Sequence, residues 1–294
     1  MPVLPQIILQ TSPDWKEYKL LDSGDGRKLE KFGPYTLIRP EAEAIWHPTQ
    51  TKLWTQADAE FVSSAEKNGG HWVFSNSLPE RWQMQYKGLR FWAQTTNSKH
   101  IGVFPEQASQ WDWMEKQIQN SKQKVNVLNL FGYTGIASLA AARSGADVTH
   151  VDASQKSTNW GKENQLLSGL KEYPIRWLVD DAFKFVKREI RRESKYDGII
   201  LDPPKFGRGP KGEVWEFYKI LPDLLEGCQQ ILSAQPVFVL LTAYAVKASS
   251  LTLHFALEEM MQKYKGTITV GEVLLQEQTN HHAISMAIFA RWSK

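Results

Sequence analysis

The chain has 294 residues and a formal net charge of +3, and 42% of its residues are hydrophobic against 23% charged. That balance belongs to a soluble globular protein with enough chain for one large domain or two ordinary ones. No run of about 18 apolar residues is present, which excludes a membrane-spanning helix. The lone cysteine, Cys228, excludes an intrachain disulfide and a cysteine-based zinc cluster, and points with the unremarkable N-terminus to a cytoplasmic protein.

Residues 1–16 hold three prolines and little periodicity, the pattern of a loosely attached arm. From Tyr18 the pattern changes to short β-like runs: 18–22, a turn at Ser23-Gly24-Asp25-Gly26, then 27–33, 35–40, 71–74, 81–86 and 89–93. Eight of the twelve tryptophans precede residue 120, either filling the core of a small β module or offering bases a stacking surface. A helix over 106–120, with Pro105 at its first turn, bridges to the second half. The expected division is therefore an N-terminal arm and β-rich module over 1–105 and a second domain over 106–294.

From Val125 strands and helices alternate. The expected strands are 125–131, 147–152, 175–179, 197–202 and 236–242, and the helices 134–144, 154–169, 181–193, 217–233 and 248–264. Two later β-like runs, 267–275 and 283–291, complete the pattern. Such alternation predicts an α/β domain with a doubly wound, mostly parallel Rossmann-like sheet, whose ligands gather beyond the C-terminal ends of the strands.

Gly132 and Gly135 follow the first of these strands, where glycine lets backbone N–H groups approach a ligand and the helix start offers partial positive charge. The full Gly-x-Gly-x-x-Gly pattern is missing, which argues against a nicotinamide dinucleotide. Asp152 ends the second strand; it either accepts hydrogen bonds from both hydroxyls of a ribose or caps the next helix. Asp180 and Asp181 end the third and reach an adenine amine, or Asp181 is an N-cap. In Leu201-Asp202-Pro203-Pro204-Lys205-Phe206 two prolines fix the backbone and leave carbonyls exposed. Asp202 and those carbonyls suit a substrate amino group, and Phe206 the face of a base. Lys205, Arg208 and Lys211 stand in a glycine-rich loop suited to phosphates, so RNA is the expected partner. The basic run Lys184, Lys187, Arg188, Arg191 and Arg192 reads as a solvated helix face.

Three segments taken in order, 129–135 (Asn129-Leu130-Phe131-Gly132-Tyr133-Thr134-Gly135), 151–154 and 201–206, resemble the motifs of class I S-adenosylmethionine-dependent methyltransferases. More narrowly they resemble the large-subunit rRNA methyltransferase family, with its cytosine-C5 and guanine-N7 branches. Gly88-Leu89-Arg90-Phe91 and the stretch 102–107 are similar to the segment preceding that family's catalytic domain. The resemblance implies S-adenosyl-L-methionine as cofactor. Asn129, Phe131, Gly132, Tyr133, Thr134 and Gly135 would hold its methionine end, and Asp152, Ala153 and Ser154 its ribose. Asp181 and Ala182 would meet the adenine, while Phe104 and Gln107 close over the whole. Asp202, Pro203, Pro204, Lys205 and Phe206 would form the catalytic side. No metal is implied, because methyl transfer needs alignment and a dry pocket.

One departure narrows the chemistry. Cytosine-C5 members carry a cysteine after the strand that follows the Asp-Pro-Pro motif, and here that stretch reads Leu240-Leu241-Thr242-Ala243-Tyr244-Ala245. Cys228 falls earlier, at core spacing on a helix. The expected function is methyl transfer to an rRNA base without a cysteine nucleophile. The alternatives are a cofactor-binding module on RNA that has lost its chemistry and a methyltransferase of another acceptor.

Overall fold

The computed structural model describes residues 4–11, 15–64, 69–278 and 281–294. They divide into two units, one made of Thr11–Glu106 with Leu274–Ser285, the other of Met1–Gln10, Gln107–Val273 and Met286–Lys294. This differs in two segments from a cut between 105 and 106. Leu274–Ser285 joins the N-terminal unit because Ser23 Oγ donates to the buried Glu277 carboxylate and Leu20 bridges to Glu277. The start of the chain joins the other unit as a strand, Ile7–Thr11, beside Thr267–Gln276. The arm expected over 1–16 is thus corrected at its described centre, while 1–3 and 12–14 lie outside the described residues. Its pairing partner is some 260 residues away, and Gly271 accommodates it: a Cβ there would stand 1.9 Å from the Ile8 carbonyl oxygen.

In the larger unit Asn126–Leu130, Asp147–Asp152, Ile175–Val179, Gly198–Leu201 and Phe238–Ala243 form the expected parallel strands. Gly198–Leu201 and Phe238–Ala243 are buried at every residue, as strands covered by helices on both faces must be. The covering helices are Ile136–Arg143, Gln155–Leu167, Ala182–Arg191, Phe217–Ile231 and Ser250–Met261. Ala283–Ser293 runs antiparallel to Phe238–Ala243. Across the sheet the order is Ile7–Thr11, Thr267–Gln276, Ala283–Ser293, Phe238–Ala243, Gly198–Leu201, Asn126–Leu130, Asp147–Asp152, Ile175–Val179. The winding reverses beside Asn126–Leu130: the chain first builds outward to Ile175–Val179, then returns to add Gly198–Leu201 on the other side. A reversal of this kind opens a crevice at the strand ends.

In the smaller unit Tyr18–Gly24, Arg27–Phe32, Tyr35–Pro40, Ala59–Ser63 and Gly70–Phe74 make a five-stranded sheet, and Trp82–Tyr86 pairs with Leu89–Ala93. Its tryptophans serve the fold. Trp15, Trp46, Trp54, Trp72 and Trp82 each donate their indole N–H to another group of the same unit. Trp15 and Trp82 are buried outright. This favours core filling over base stacking. A buried carboxylate, Glu30, is gripped by Arg39 at 2.6 and 2.7 Å. Burial pushes the Glu30 carboxyl up, but Arg39 and Lys28 outweigh it and hold it below the usual carboxylate range.

Candidate active site

The site is set by strand register. Leu130 pairs with Val151 on one side and Leu201 on the other, Leu201 pairs with Leu241, and Asp152 with Val179. Phe131, Asp202 and Thr242, just beyond these pairs, therefore stand in one row along the sheet edge with Asp152 and its partner Val179, and Asp180 follows one residue further on. Short apolar strands of matched length place them there, and most of the residues named by the sequence motifs fall in or beside the row.

Phe131–Gly135 is a tightly held loop. Phe131 (φ 61°), Tyr133 (φ 49°) and Gly135 (φ 80°) all take left-handed backbone conformations. For the two aromatic residues this costs about 1–2 kcal/mol each. Two contacts offset it. The Tyr133 N–H donates to Asp152 Oδ2 at 2.8 Å, a charge-assisted bond of about 1.5–3 kcal/mol. The Phe131 ring lies 4.8 Å from that of Trp215, a contact of about 0.5–1.5 kcal/mol. Thr134, buried, accepts at its carbonyl from Asn164 Nδ2 at 3.0 Å.

Beneath the loop sits a buried polar relay. Asn129 Nδ2 donates to Ser138 Oγ at 2.9 Å, and Ser138 Oγ lies 3.0 Å from His150 Nδ1. The imidazole abuts Gly132 so closely that a Cβ would fall 2.3 Å from its Cε1. The Trp177 indole, 4.4 Å from the His150 ring, fills the space above both Gly135 and Gly161, where added Cβ atoms would meet it at 2.5 and 2.4 Å. Gln165 accepts its N–H at 2.8 Å. The glycines thus make room for the protein's own rings, and those rings fix the loop. Complete burial pushes the His150 imidazole down to about 3, so it is neutral.

Asp152 accepts the Ser154 N–H at Oδ1 (2.8 Å) as well as that of Tyr133 at Oδ2. Each oxygen keeps a further lone pair, which is the acceptor set that a vicinal diol requires. Burial pushes its carboxyl up, and the two backbone bonds work the other way. The capping role considered for Asp152 is filled by Ser154, whose Oγ accepts from Ser157 at 3.2 Å, with Ala153 between them. Asp181 caps the helix Ala182–Arg191 through Lys184 N–H at 2.9 Å, and Asp180 pairs with Arg188 at 2.5 Å. The basic run is engaged locally, by Arg188 here and by Lys184, whose ammonium is 2.6 Å from Glu213.

On the other side of the loop, Asp202 accepts from Thr242 Oγ1 and, at 3.4 Å, from Gln107 Nε2. Gln107 also reaches Tyr244 Oη at 2.8 Å and Thr242 Oγ1 at 3.2 Å. Gln107 therefore stands with Asp202, whereas Phe104 belongs to the smaller unit, its ring 5.1 Å from His100. Two expectations are corrected here. The Pro204 carbonyl is not exposed but accepts the Trp215 indole N–H at 2.5 Å. The glycine-rich stretch carrying Lys205, Arg208 and Lys211 is a hairpin, Phe206–Arg208 against Val214–Glu216, closed by a Gly209–Glu213 backbone bond. Phe206 is 63% exposed on it. Pro203 is buried within the turn.

His150, Trp177, Ser138, Thr242, Tyr244 and Trp215 went unread in the sequence. Only Thr242 and Tyr244 carried a signal, since they occupy the stretch where a cysteine was sought. Cys228 itself is fully buried, and burial pushes its thiol up, which leaves it inert. Among the described residues no group of three or more His, Cys, Asp or Glu could hold a metal ion, and no helix is long and apolar enough to cross a membrane.

A sheet of this winding, with a glycine loop, a carboxylate at the next strand end and an Asp-Pro-Pro turn in one row, is a methyltransferase architecture. The S-adenosylmethionine-dependent methyltransferase family model matches residues 53–262, and the chain belongs to that family. Its solved relatives include an S-adenosylmethionine-dependent methyltransferase from Agrobacterium tumefaciens, 42% identical, with a TM-score of 0.94 over 100% of this chain and 97% of that one. A ribosomal RNA large subunit methyltransferase K/L from Hahella chejuensis is 32% identical over 183 residues, 61% of this chain and 24% of that protein. The ribosomal RNA large subunit methyltransferase K of Neisseria meningitidis serogroup B is 22% identical over 230 residues, 73% of this chain and 62% of the relative. The chain thus spans less than two thirds of the length of these two ribosomal RNA methyltransferases.

The buried neutral His150 makes the site acid-sensitive. Below pH 6.5 the unfolded chain takes up a proton that the folded imidazole refuses until about pH 3, so stability falls as pH drops through that window. The expected contribution is about 1.4 kcal/mol per pH unit. His150→Gln should flatten the slope by about that amount in urea denaturation at pH 7.5, 6 and 5. An unchanged slope would show that the imidazole titrates normally.

Proposed function

We propose that this chain transfers a methyl group to an amino nitrogen of a base in ribosomal RNA. The observation that carries the reading is the single row of strand ends, with a diol acceptor on one side of the glycine loop and the Asp-Pro-Pro turn on the other. The ribosomal RNA named by two of its relatives supports the acceptor class. A cytoplasmic location goes with that substrate.

The residues fit the cofactor. Asp152, its carboxylate already fixed by Tyr133 and Ser154 N–H groups, would take the ribose hydroxyls. Loop 131–135, above Asn129, would take the methionine end, with Ala153 and Ser154 beside the ribose and Asp181 with Ala182 beside the adenine. Bound S-adenosylmethionine supplies an activated methyl group on a sulfonium sulfur. The protein's own work is then alignment. Asp202, oriented by Thr242 and Gln107, accepts a hydrogen bond from the acceptor amine and turns its lone pair toward the loop. Pro203 and Pro204 keep that turn rigid, and the exposed ring of Phe206 stacks on the base. Lys205, Arg208 and Lys211 meet phosphates, which orient the RNA without reading its sequence. With no reactive cysteine, attack at a pyrimidine C6 has no nucleophile.

Two measurements test this reading. Tritiated S-adenosylmethionine offered in parallel to unmodified ribosomal RNA, DNA and protein should label the RNA; label confined to protein would sink the acceptor assignment. In the same assay Asp202→Ala should lower turnover by about 100-fold while cofactor affinity, read by calorimetry, changes less than about threefold. Secondly, replacing Lys205, Arg208 and Lys211 by alanine should weaken RNA binding uniformly across sequences. The slope of log affinity against log salt should become about 2 to 3 units shallower. A slope equal to that of the unaltered protein would remove the phosphate role of the hairpin.

A further inference from the structure

One buried side chain touches both halves of the site and belongs to neither motif. Trp215 lies on Val214–Glu216, opposite Gly207 in the hairpin, and is 4% exposed. Its indole N–H donates to the Pro204 carbonyl at 2.5 Å, inside the Asp-Pro-Pro turn. Its ring packs at 4.8 Å and 59° on Phe131, the first residue of the glycine loop. Phe131 holds a left-handed conformation, and the ring contact is one of two that offset the strain of its loop, the other being the Tyr133 N–H bond to Asp152, which Trp215 does not touch. The next residue but one, Phe217, anchors the hairpin's end by donating its N–H to the Lys205 carbonyl at 3.0 Å. Gly207 keeps the stack tight: a Cβ there would stand 3.3 Å from Pro204 Cγ and 3.6 Å from Trp215 Cβ.

We infer that Trp215 is a positioning residue that couples the loop 131–135 to the acceptor-side hairpin 206–216. It rests on the reading of 131–135 as the cofactor loop. The physical reason is contiguity in a close-packed interior. A shift of Phe131 must displace the indole, and the indole cannot move without releasing Pro204 or dragging it. A ligand that orders the loop therefore orders the turn that carries Asp202 and the hairpin that carries Phe206 and Arg208. Core filling alone would satisfy the indole N–H, but it would not tie the Asp-Pro-Pro turn to a strained loop residue.

The coupling can be read without any RNA. Amide hydrogen exchange would be followed by mass spectrometry with and without saturating S-adenosylhomocysteine. In the unaltered protein, exchange should slow at 131–135 and, by about tenfold, at 206–217. Trp215→Leu should keep the slowing at 131–135 and lose it at the hairpin. Trp215→Phe, which retains a ring and is the safer variant for folding, should leave about threefold at the hairpin. On unmodified ribosomal RNA the Phe variant should also lower kcat by about tenfold while cofactor Kd moves less than threefold. Slowing at 131–135 with none at the hairpin of the unaltered protein would overturn the coupling. So would hairpin slowing that survives both substitutions in full. Failure of S-adenosylhomocysteine to slow either stretch would instead strike the cofactor-loop reading, and the coupling would fall with it.

Discussion

The pairing of Leu130 with Val151 on one side and Leu201 on the other is the constraint from which the site follows. Parallel strands in this register bring to one edge three segments that are distant in sequence. The sheet therefore does the first part of the alignment that methyl transfer needs, before any ligand arrives. The core beneath it is apolar and closely packed: Leu128, Leu130, Val151, Ile199, Leu201, Val239 and Leu241 are all fully buried in one cluster. A register slip would expose that row and scatter the site.

Above the register lies a second layer of control, made of rings seated on glycines. His150 occupies the space that a side chain at Gly132 would need, and Trp177 that of Gly135 and Gly161. Gly132 has no left-handed angle to justify it, so its reason is the imidazole beneath. Gly135 has both reasons, a φ of 80° and the indole. The loop is thereby strained and supported at once, which keeps its backbone N–H groups in place at a modest energetic cost.

Much of this was legible in the sequence because it is local. Strand and helix alternation, the glycine loop, Asp152 after a β run and Asp202 before two prolines each show within a dozen residues. What escaped depends on contacts made across the fold. The pairing of Ile7–Thr11 with Thr267–Gln276 spans most of the chain, so a proline-containing start read as an arm. The hairpin Phe206–Arg208 with Val214–Glu216 has strands of three residues among glycines, too short to show a period. Trp215 and Trp177 carry no local signal, and only packing reveals that they support Phe131 and Gly135. Gln107 was read only as closing over the cofactor, and its hydrogen bonds to Asp202, Thr242 and Tyr244 had no sign in the sequence.

The central claim is that one edge of the sheet holds the cofactor between Asp152 and Asp202. A crystal structure of the chain soaked with S-adenosylhomocysteine tests it most directly. Both ribose hydroxyls should lie within hydrogen-bond reach of Asp152, about 2.5–3.0 Å. The sulfur should lie over loop 131–135 on the side facing Asp202. A ribose bonded elsewhere with Asp152 left uncontacted, or a sulfur turned away from Asp202, would contradict it.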